Sequence, residues 1–331
     1  MKLILFLVVC LLPVATAMSQ DQSENETRGN WNVKSKTFGG KQFWTDVQFT
    51  SGWKIQQNVL TEHYRLLDPK KVRHAWGDFD ACQSHLAKLL NEGDVKPNSG
   101  RVVIVLHGLI RSSNSMGVVA DYLQSKSELT AINFEYASTR KSVSSHAAAL
   151  GKLIHRLGDQ VTEINFVGHS MGNIVVRRYL HGGFHKGFKV DPRIKRMVMI
   201  GPPNQGSQMA RLLKRSLIYK AVAGAAGSQM GETWEHLEKK LATPNFEFGI
   251  IAGGQSDENE SISNFFVRGK DDFTVGVEET KLPGASDFLV RPLLHSTMMK
   301  QPVTLKATLS FLENGYFTTA AAREPLAKKA K

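Results

Sequence analysis

The stretch that most constrains this chain is Asn165-Phe166-Val167-Gly168-His169-Ser170-Met171-Gly172-Asn173-Ile174-Val175-Val176. Residues 164–167 are an apolar run and read as a buried strand. Gly168, Ser170 and Gly172 then make a Gly-x-Ser-x-Gly pentapeptide, and a helical pattern starts at Met171 and runs to Tyr179. A strand that passes straight into a helix needs a sharp turn. With a serine at its tip the backbone is strained and pressed against its neighbours, so the positions two before and two after it must lack a Cβ. The helix start behind Ser170 offers unpaired N–H groups and the positive end of a dipole to a developing oxyanion. Ser170 is therefore a candidate nucleophile rather than one residue of a small βα turn.

The flanking chain alternates strand and helix patterns. Strands are expected at 101–106, 131–136, 194–200, 246–252 and 288–294, and helices at 116–123, 144–157 and 303–312, the second capped by Ser144 or Ser145. A basic amphipathic helix is expected at 209–217. Such alternation implies a mostly parallel sheet covered by helices on both faces. Residues 219–243 interrupt it with the small-residue run Ala221-Val222-Ala223-Gly224-Ala225-Ala226-Gly227. They read either as a small lid over the site or as an ordinary crossover helix.

Before the sheet, residues 31–55 read as short strands joined by turns at Gly39-Gly40 and Ser51-Gly52, and 78–90 as a helix. Phe38, Phe43, Trp44, Phe49 and Trp53 read as one packed face of a small sheet in preference to a ligand patch. The segment 18–100 thus leads into a core at 101–316, and 317–331 is a basic tail, of which 323–331 is expected to be frayed and solvated.

Residues 1–17 have the order of an export signal: Lys2, an apolar stretch at 3–12, and Ala15-Thr16-Ala17 as cleavage site. The run is short for a membrane span, and Val9 before Cys10 does not suit a lipid-acceptor cysteine. Cleavage and a periplasmic or extracellular location are expected, leaving Cys82 without a disulfide partner. Asn25 and Asn259 head glycosylation sequons. The net charge of +12 suits an anionic partner, a membrane surface in particular. With no basic patch interleaved with aromatics, nucleic acid is not expected. The pattern specifies no oligomeric state.

Three motifs together carry a resemblance. Leu106-His107-Gly108-Leu109 before a helix, Gly168-His169-Ser170-Met171-Gly172, and Gly201-Pro202-Pro203-Asn204-Gln205-Gly206-Ser207 after the next strand resemble the α/β-hydrolase superfamily, and within it the bacterial lipases and esterases. The resemblance covers residues 101–312. It implies an α/β-hydrolase fold and a Ser-acid-His order of catalytic residues. His295 is the one histidine beyond Asp272, at the end of the last strand, where the fold places the base. The resemblance also implies an acid in a Gly-x-x-Asp-Gly-x-Val pattern. Gly269-Lys270-Asp271-Asp272-Phe273-Thr274-Val275 matches it with Asp272, although Phe273 stands where glycine is usual. Asp271 and Asp257 are the alternatives.

The roles implied are Ser170 as nucleophile, His295 as base and acid, and Asp272 as the group that orients the imidazole. The N–H groups of Leu109 and Met171 would form the oxyanion hole. His107 and His169 are expected to shape their loops. No cofactor is required, and no metal-ligand spacing occurs. The function expected is an exported serine hydrolase that cleaves carboxylic or lipid esters. An amidase, thioesterase or acyltransferase on the same triad, or a basic binding module on a hydrolase scaffold, are the competing readings.

Overall fold

The computed structural model describes residues 35–36, 42–183, 188–206, 234–254 and 275–328. Strands β1 (Ser35–Lys36), β2 (Trp44–Thr50), β3 (Trp53–Asn58), β4 (Tyr64–Leu67) and β5 (Val72–Gly77) form an antiparallel sheet in the order β1-β5-β4-β3-β2. Ser51 and Gly52 both have positive φ, 44° and 88°, and make the two-residue turn between β2 and β3. Such a turn matches the twist of the strands it joins.

Helix α1 (Phe79–Asn91) covers one face of this sheet. Asp78 caps it, its Oδ1 accepting from the Ala81 N–H at 2.7 Å. Cys82 and Leu86 of α1 pack on Val47, Ile55, Leu66 and Ala75. Burial, with the Asp78 charge adding to it, pushes the Cys82 thiol up to about 12, so it stays protonated at neutral pH. The aromatic residues of β2 and β3 do not share one face. Trp53 joins the α1 cluster, Phe49 enters the core of the large sheet, and Trp44 lies under the Arg65 guanidinium. A register shift between Asp46 and Gln48 breaks the alternation on which a single face would depend. Phe38 lies outside the described residues.

The large sheet holds β6 (Gly100–Leu106), β7 (Thr130–Phe134), β8 (Val161–His169), β9 (Ile194–Ile200), β10 (Glu247–Gly253) and β11 (Asp287–Arg291). Its order is β11-β10-β9-β8-β6-β7, and every neighbouring pair is parallel. Valine and isoleucine alternate sides along β6. Val102, Ile104 and Leu106 face one core cluster, Val103 and Val105 the other. The first cluster is closed by helices α3 (Val143–His155) and α4 (Met171–His181), the second by α2 (Gly117–Lys126) and α7 (Pro302–Asn314). Both faces of the sheet are therefore buried, as a parallel sheet requires. Ser142, rather than Ser144 or Ser145, caps α3, because its backbone is extended and its Oγ accepts from the Ser145 N–H.

Helix α5 (Trp234–Glu238) belongs to the region read as lid or crossover. Trp234 and Leu237 are buried in the core, and the Ala242 N–H donates to the Arg177 carbonyl at 3.1 Å. This part behaves as a crossover; 219–233 and the helix expected at 209–217 lie outside the described residues. A short helix, α6 (Val277–Thr280), precedes β11.

The expectation of a frayed tail is corrected as far as Lys328. The Leu326 N–H donates to the Ala285 carbonyl and its carbonyl accepts from the Gly284 N–H, both at 2.9 Å. The Asp287 carboxylate accepts from the N–H groups of Phe317 and Glu324 at 2.7 and 3.0 Å. Many of these residues have exposed side chains, yet the backbone is tied down. A run of charged side chains says nothing about where the main-chain groups between them find partners.

Candidate active site

β8 lies between β6 and β9, and its last residue, His169, adjoins the turn to α4. Ser170 in that turn has φ 52° and ψ −123°. For a residue with a Cβ this is a sparsely populated conformation, worth about 1–3 kcal/mol of strain. Neighbours on both sides hold it. The Ser170 N–H donates to the Ile200 carbonyl of β9 at 2.9 Å, and the Ser170 carbonyl accepts from the main-chain N–H and the side-chain Nδ2 of Asn173, both at 3.1 Å. The glycines of the pentapeptide are required by close approach. A Cβ on Gly168 would stand 2.3 Å from the Asn173 Oδ1, and one on Gly172 2.7 Å from the Leu106 carbonyl oxygen.

The second element is the loop after β6. A Cβ on Gly108 would stand 3.1 Å from the Ser170 Cβ, so the loop carrying Leu109 abuts Ser170. Met171, the other expected oxyanion donor, is the first residue of α4, where helical N–H groups have no partner within the helix. His107 is buried beneath this loop. Its Nδ1 donates to the Gly108 carbonyl at 2.9 Å, its ring stacks on Tyr136 at 4.1 Å, and its own carbonyl accepts from the Tyr136 hydroxyl. The Glu135 Oε1 stands 3.6 Å from the His107 Nε2. Burial alone would raise the Glu135 carboxyl; the contact with His107, the Ser113 hydrogen bonds and the Lys54 charge outweigh it and hold it below the usual carboxylate range.

His295 follows β11 in the loop that leads to Met298. A Cβ on Gly201, the residue after β9, would stand 2.8 Å from the His295 Nδ1. The end of β9 thus touches both residues, through Ile200 on Ser170 and through Gly201 on His295. The His169 Nε2 donates to the His295 main-chain carbonyl at 3.0 Å, and the two rings lie 4.8 Å apart. Burial, and after it the nearness of His295, holds His169 well below the usual histidine range.

The turn after β9 is pinned from α4. The Arg177 Nη1 donates to the Asn204 main-chain and side-chain oxygens at 3.2 and 3.1 Å, and the Asn204 Nδ2 donates to the Thr280 carbonyl at 2.7 Å. Burial lowers the Arg177 guanidinium to about 10.

Ser170, Met171, Leu109 and His295 thus gather at one end of the sheet. Asp272, Asp271 and Asp257 lie outside the described residues. Among the described residues no group of three His, Cys, Asp or Glu side chains is placed to hold a metal ion. Two residues that shape the site were absent from the sequence reading. Asn173 is a polar side chain fully buried in the first turn of α4. Gln42 donates to the Arg111 carbonyl at 2.8 Å and accepts from the Thr139 N–H at 3.0 Å, tying the loop after β6 to the segment after β7. A buried asparagine three residues after the turn serine was a signal available in the sequence. Gln42 had none.

Solved structures resemble the chain at low identity. The phospholipase PlaB of Legionella pneumophila is 17% identical with a TM-score of 0.41, covering 55% of this chain and 46% of that one. The propeptide form of the lipase BlEst2 of Bacillus licheniformis is 18% identical with a TM-score of 0.46, covering 70% and 55%. A gene product of Listeria innocua is 18% identical with a TM-score of 0.44, covering 70% and 98%. The chain spans about half the length of the first two. A search of curated proteins finds no match. One family does match, over residues 79–273, from α1 through the elbow and beyond β10, and on that match the chain belongs to the alpha/beta hydrolases of unknown function DUF915.

Proposed function

We propose that the chain is an exported serine hydrolase of carboxylic esters, working through Ser170, His295 and an acid that follows β10 in the sequence, with Asp272 as first choice. The observation that carries this reading is the strained Ser170 backbone at the start of α4, with His295 packed on Gly201 at the end of the same strand that holds Ser170. A serine hydroxyl is a weak nucleophile until a base removes its proton. In the proposed cycle the Ser170 Oγ attacks the ester carbonyl carbon while His295 takes its proton. The oxyanion is held by the N–H groups of Leu109 and Met171. The C–O bond to the alcohol breaks as His295 returns the proton to the leaving oxygen. Water then attacks the acyl carbon while His295 takes its proton, and the bond from that carbon to the Ser170 Oγ breaks as His295 returns the proton to Oγ, which frees the acid and restores Ser170.

The substrates proposed are esters of small acids or lipids, and the basic surface would bring the enzyme to an anionic membrane. The proposed location is periplasmic or extracellular, after cleavage behind Ala17. The test is a chain-length series of p-nitrophenyl esters on the mature protein, beside labelling by a fluorophosphonate. Turnover and labelling that vanish in Ser170→Ala support the reading. Hydrolysis by Ser170→Ala at the wild-type rate would refute it.

A further inference from the structure

We infer that His169 is a positioning residue for His295: its imidazole Nε2–H fastens the main chain that carries the base to the strand that carries the nucleophile. The inference rests on the proposed triad and deepens it.

His295 stands on a loop, and loops are poor supports for a side chain that must meet another within a few tenths of an ångström. Around His295 the loop makes bonds within itself. The Leu293 N–H donates to the Arg291 carbonyl, and those of Thr297 and Met298 to the Leu294 carbonyl, at 2.8, 3.1 and 2.9 Å. These bonds run within the loop, and Met298 and Met299 pack into the core beneath it. The His169 Nε2 bond to the His295 carbonyl, at 3.0 Å, ties the main chain of the base itself to the end of β8. His169 is joined to Ser170 by a peptide bond and ends a central strand paired on both sides. One covalent link and one hydrogen bond therefore connect nucleophile to base through rigid backbone.

The His169 side chain is prepared for this and for little else. A carbonyl acceptor requires the proton on Nε2, so the neutral ring has one serviceable tautomer. Burial favours that neutral form. Gly108 leaves the room it occupies, since a Cβ there would stand 3.3 Å from the His169 Nδ1. That Nδ1 is buried and has no hydrogen-bond partner among the described residues. An apolar side chain of similar size would fill the space and carry no unmet acceptor of its own, but it would take this donor away from the His295 carbonyl. What the imidazole adds over such a side chain is the donor. Its ring also faces the His295 ring at 4.8 Å, while Gly201 limits the His295 ring at its Nδ1.

The test compares His169→Leu, His169→Gln and His169→Asn in the full chain, using p-nitrophenyl butyrate for kcat and KM and a thermal melt for folding. The Gln amide reaches about as far as Nε2 and can donate; the Asn amide is shorter and cannot; Leu has no donor. The expected result is a kcat lower by about a hundredfold in Leu and Asn, with KM within about threefold of wild type, and most of the rate recovered in Gln. Should Leu fail to fold, the Gln and Asn pair decides alone. Equal kcat in Gln and Asn, at any level, or a wild-type kcat in folded Leu overturns the inference. Ser170→Ala and His295→Ala are run beside them. If either of these turns over ester like wild type, the triad itself is wrong. If both are inactive and Gln and Asn are alike, only the role of His169 falls.

Discussion

The α-carbon of Gly172 is pressed against the main-chain carbonyl of Leu106, so closely that a methyl group there would stand 2.7 Å from the oxygen. That contact locks the first turn of α4 to the end of β6 and brings together the segments that carry Met171 and Leu109. Gly172→Ala must push one of them away. It should destabilise the protein by about 1–3 kcal/mol in urea unfolding and slow fluorophosphonate labelling. Gly151→Ala in α3 is the control. Its methyl would lie 3.4 Å from the Tyr179 ring, an ordinary contact, and the helix should gain up to about 1 kcal/mol.

The acid can be assigned by kinetics. With Asp272 as partner of His295, Asp272→Asn should keep the melting temperature and lower kcat by about ten-thousandfold through the wrong imidazole tautomer. Asp271→Asn and Asp257→Asn should stay within about tenfold of wild type. A dead Asp257→Asn beside an active Asp272→Asn would move the assignment to Asp257.

Stability should fall in mild acid. Burial, aided by the nearby His107, lowers His146 from 6.5 to about 3, and His169 is held low in the same way. Above pH 6.5 neither state binds these protons and stability is full. As the pH falls below it, the unfolded chain takes up protons that the folded chain refuses, and each histidine costs about 1.4 kcal/mol per pH unit. Carboxylates held low, such as Glu135 and Asp191, act in the same direction only near and below their own range. Urea midpoints between pH 7.5 and 5 therefore report the histidines. His146→Phe should reduce the slope and leave the part carried by His169 and by His63, which burial also holds low; an unchanged slope would show that His146 does not contribute.

Asp287 ties the segment 317–328 to the base of β11 through two N–H groups. Asp287→Ala leaves the buried Phe317 N–H without its acceptor, a cost of about 1–3 kcal/mol. Limited trypsin digestion should then cut after Arg323, while ester turnover at low temperature stays near wild type, because this end of the sheet is remote from Ser170.

The large sheet was legible because burial on both faces leaves uninterrupted apolar runs. β9 falls on the expected 194–200, and β6 differs by one residue. The elbow was legible because its glycines answer to a local steric demand. β4 and β5 went unread: Arg65 and His74 interrupt their apolar pattern, and the Arg65 guanidinium is accommodated by the Trp44 ring and the Gln56 side-chain oxygen, partners that no local window reveals. The sequence pointed to His107 and His169 as loop-shaping residues. It could not point to their partners, because the Tyr136 hydroxyl and the His295 carbonyl meet them only through the fold.

The small antiparallel sheet described above also meets the edge of the large one. β7 is the last strand on its side of the large sheet, and an unpaired strand border is where another chain adds and aggregation starts. Here the border is sealed from within. Asp46 exchanges two bonds with the Glu135 main chain at 2.8 and 2.9 Å, and the Lys54 ammonium takes the Asn133 carbonyl at 2.6 Å. A hydrolase core cut at residue 100 would keep every proposed catalytic group and lose that seal. Without the small antiparallel sheet, such a core should associate through the bared edge of β7 at concentrations where the full chain does not.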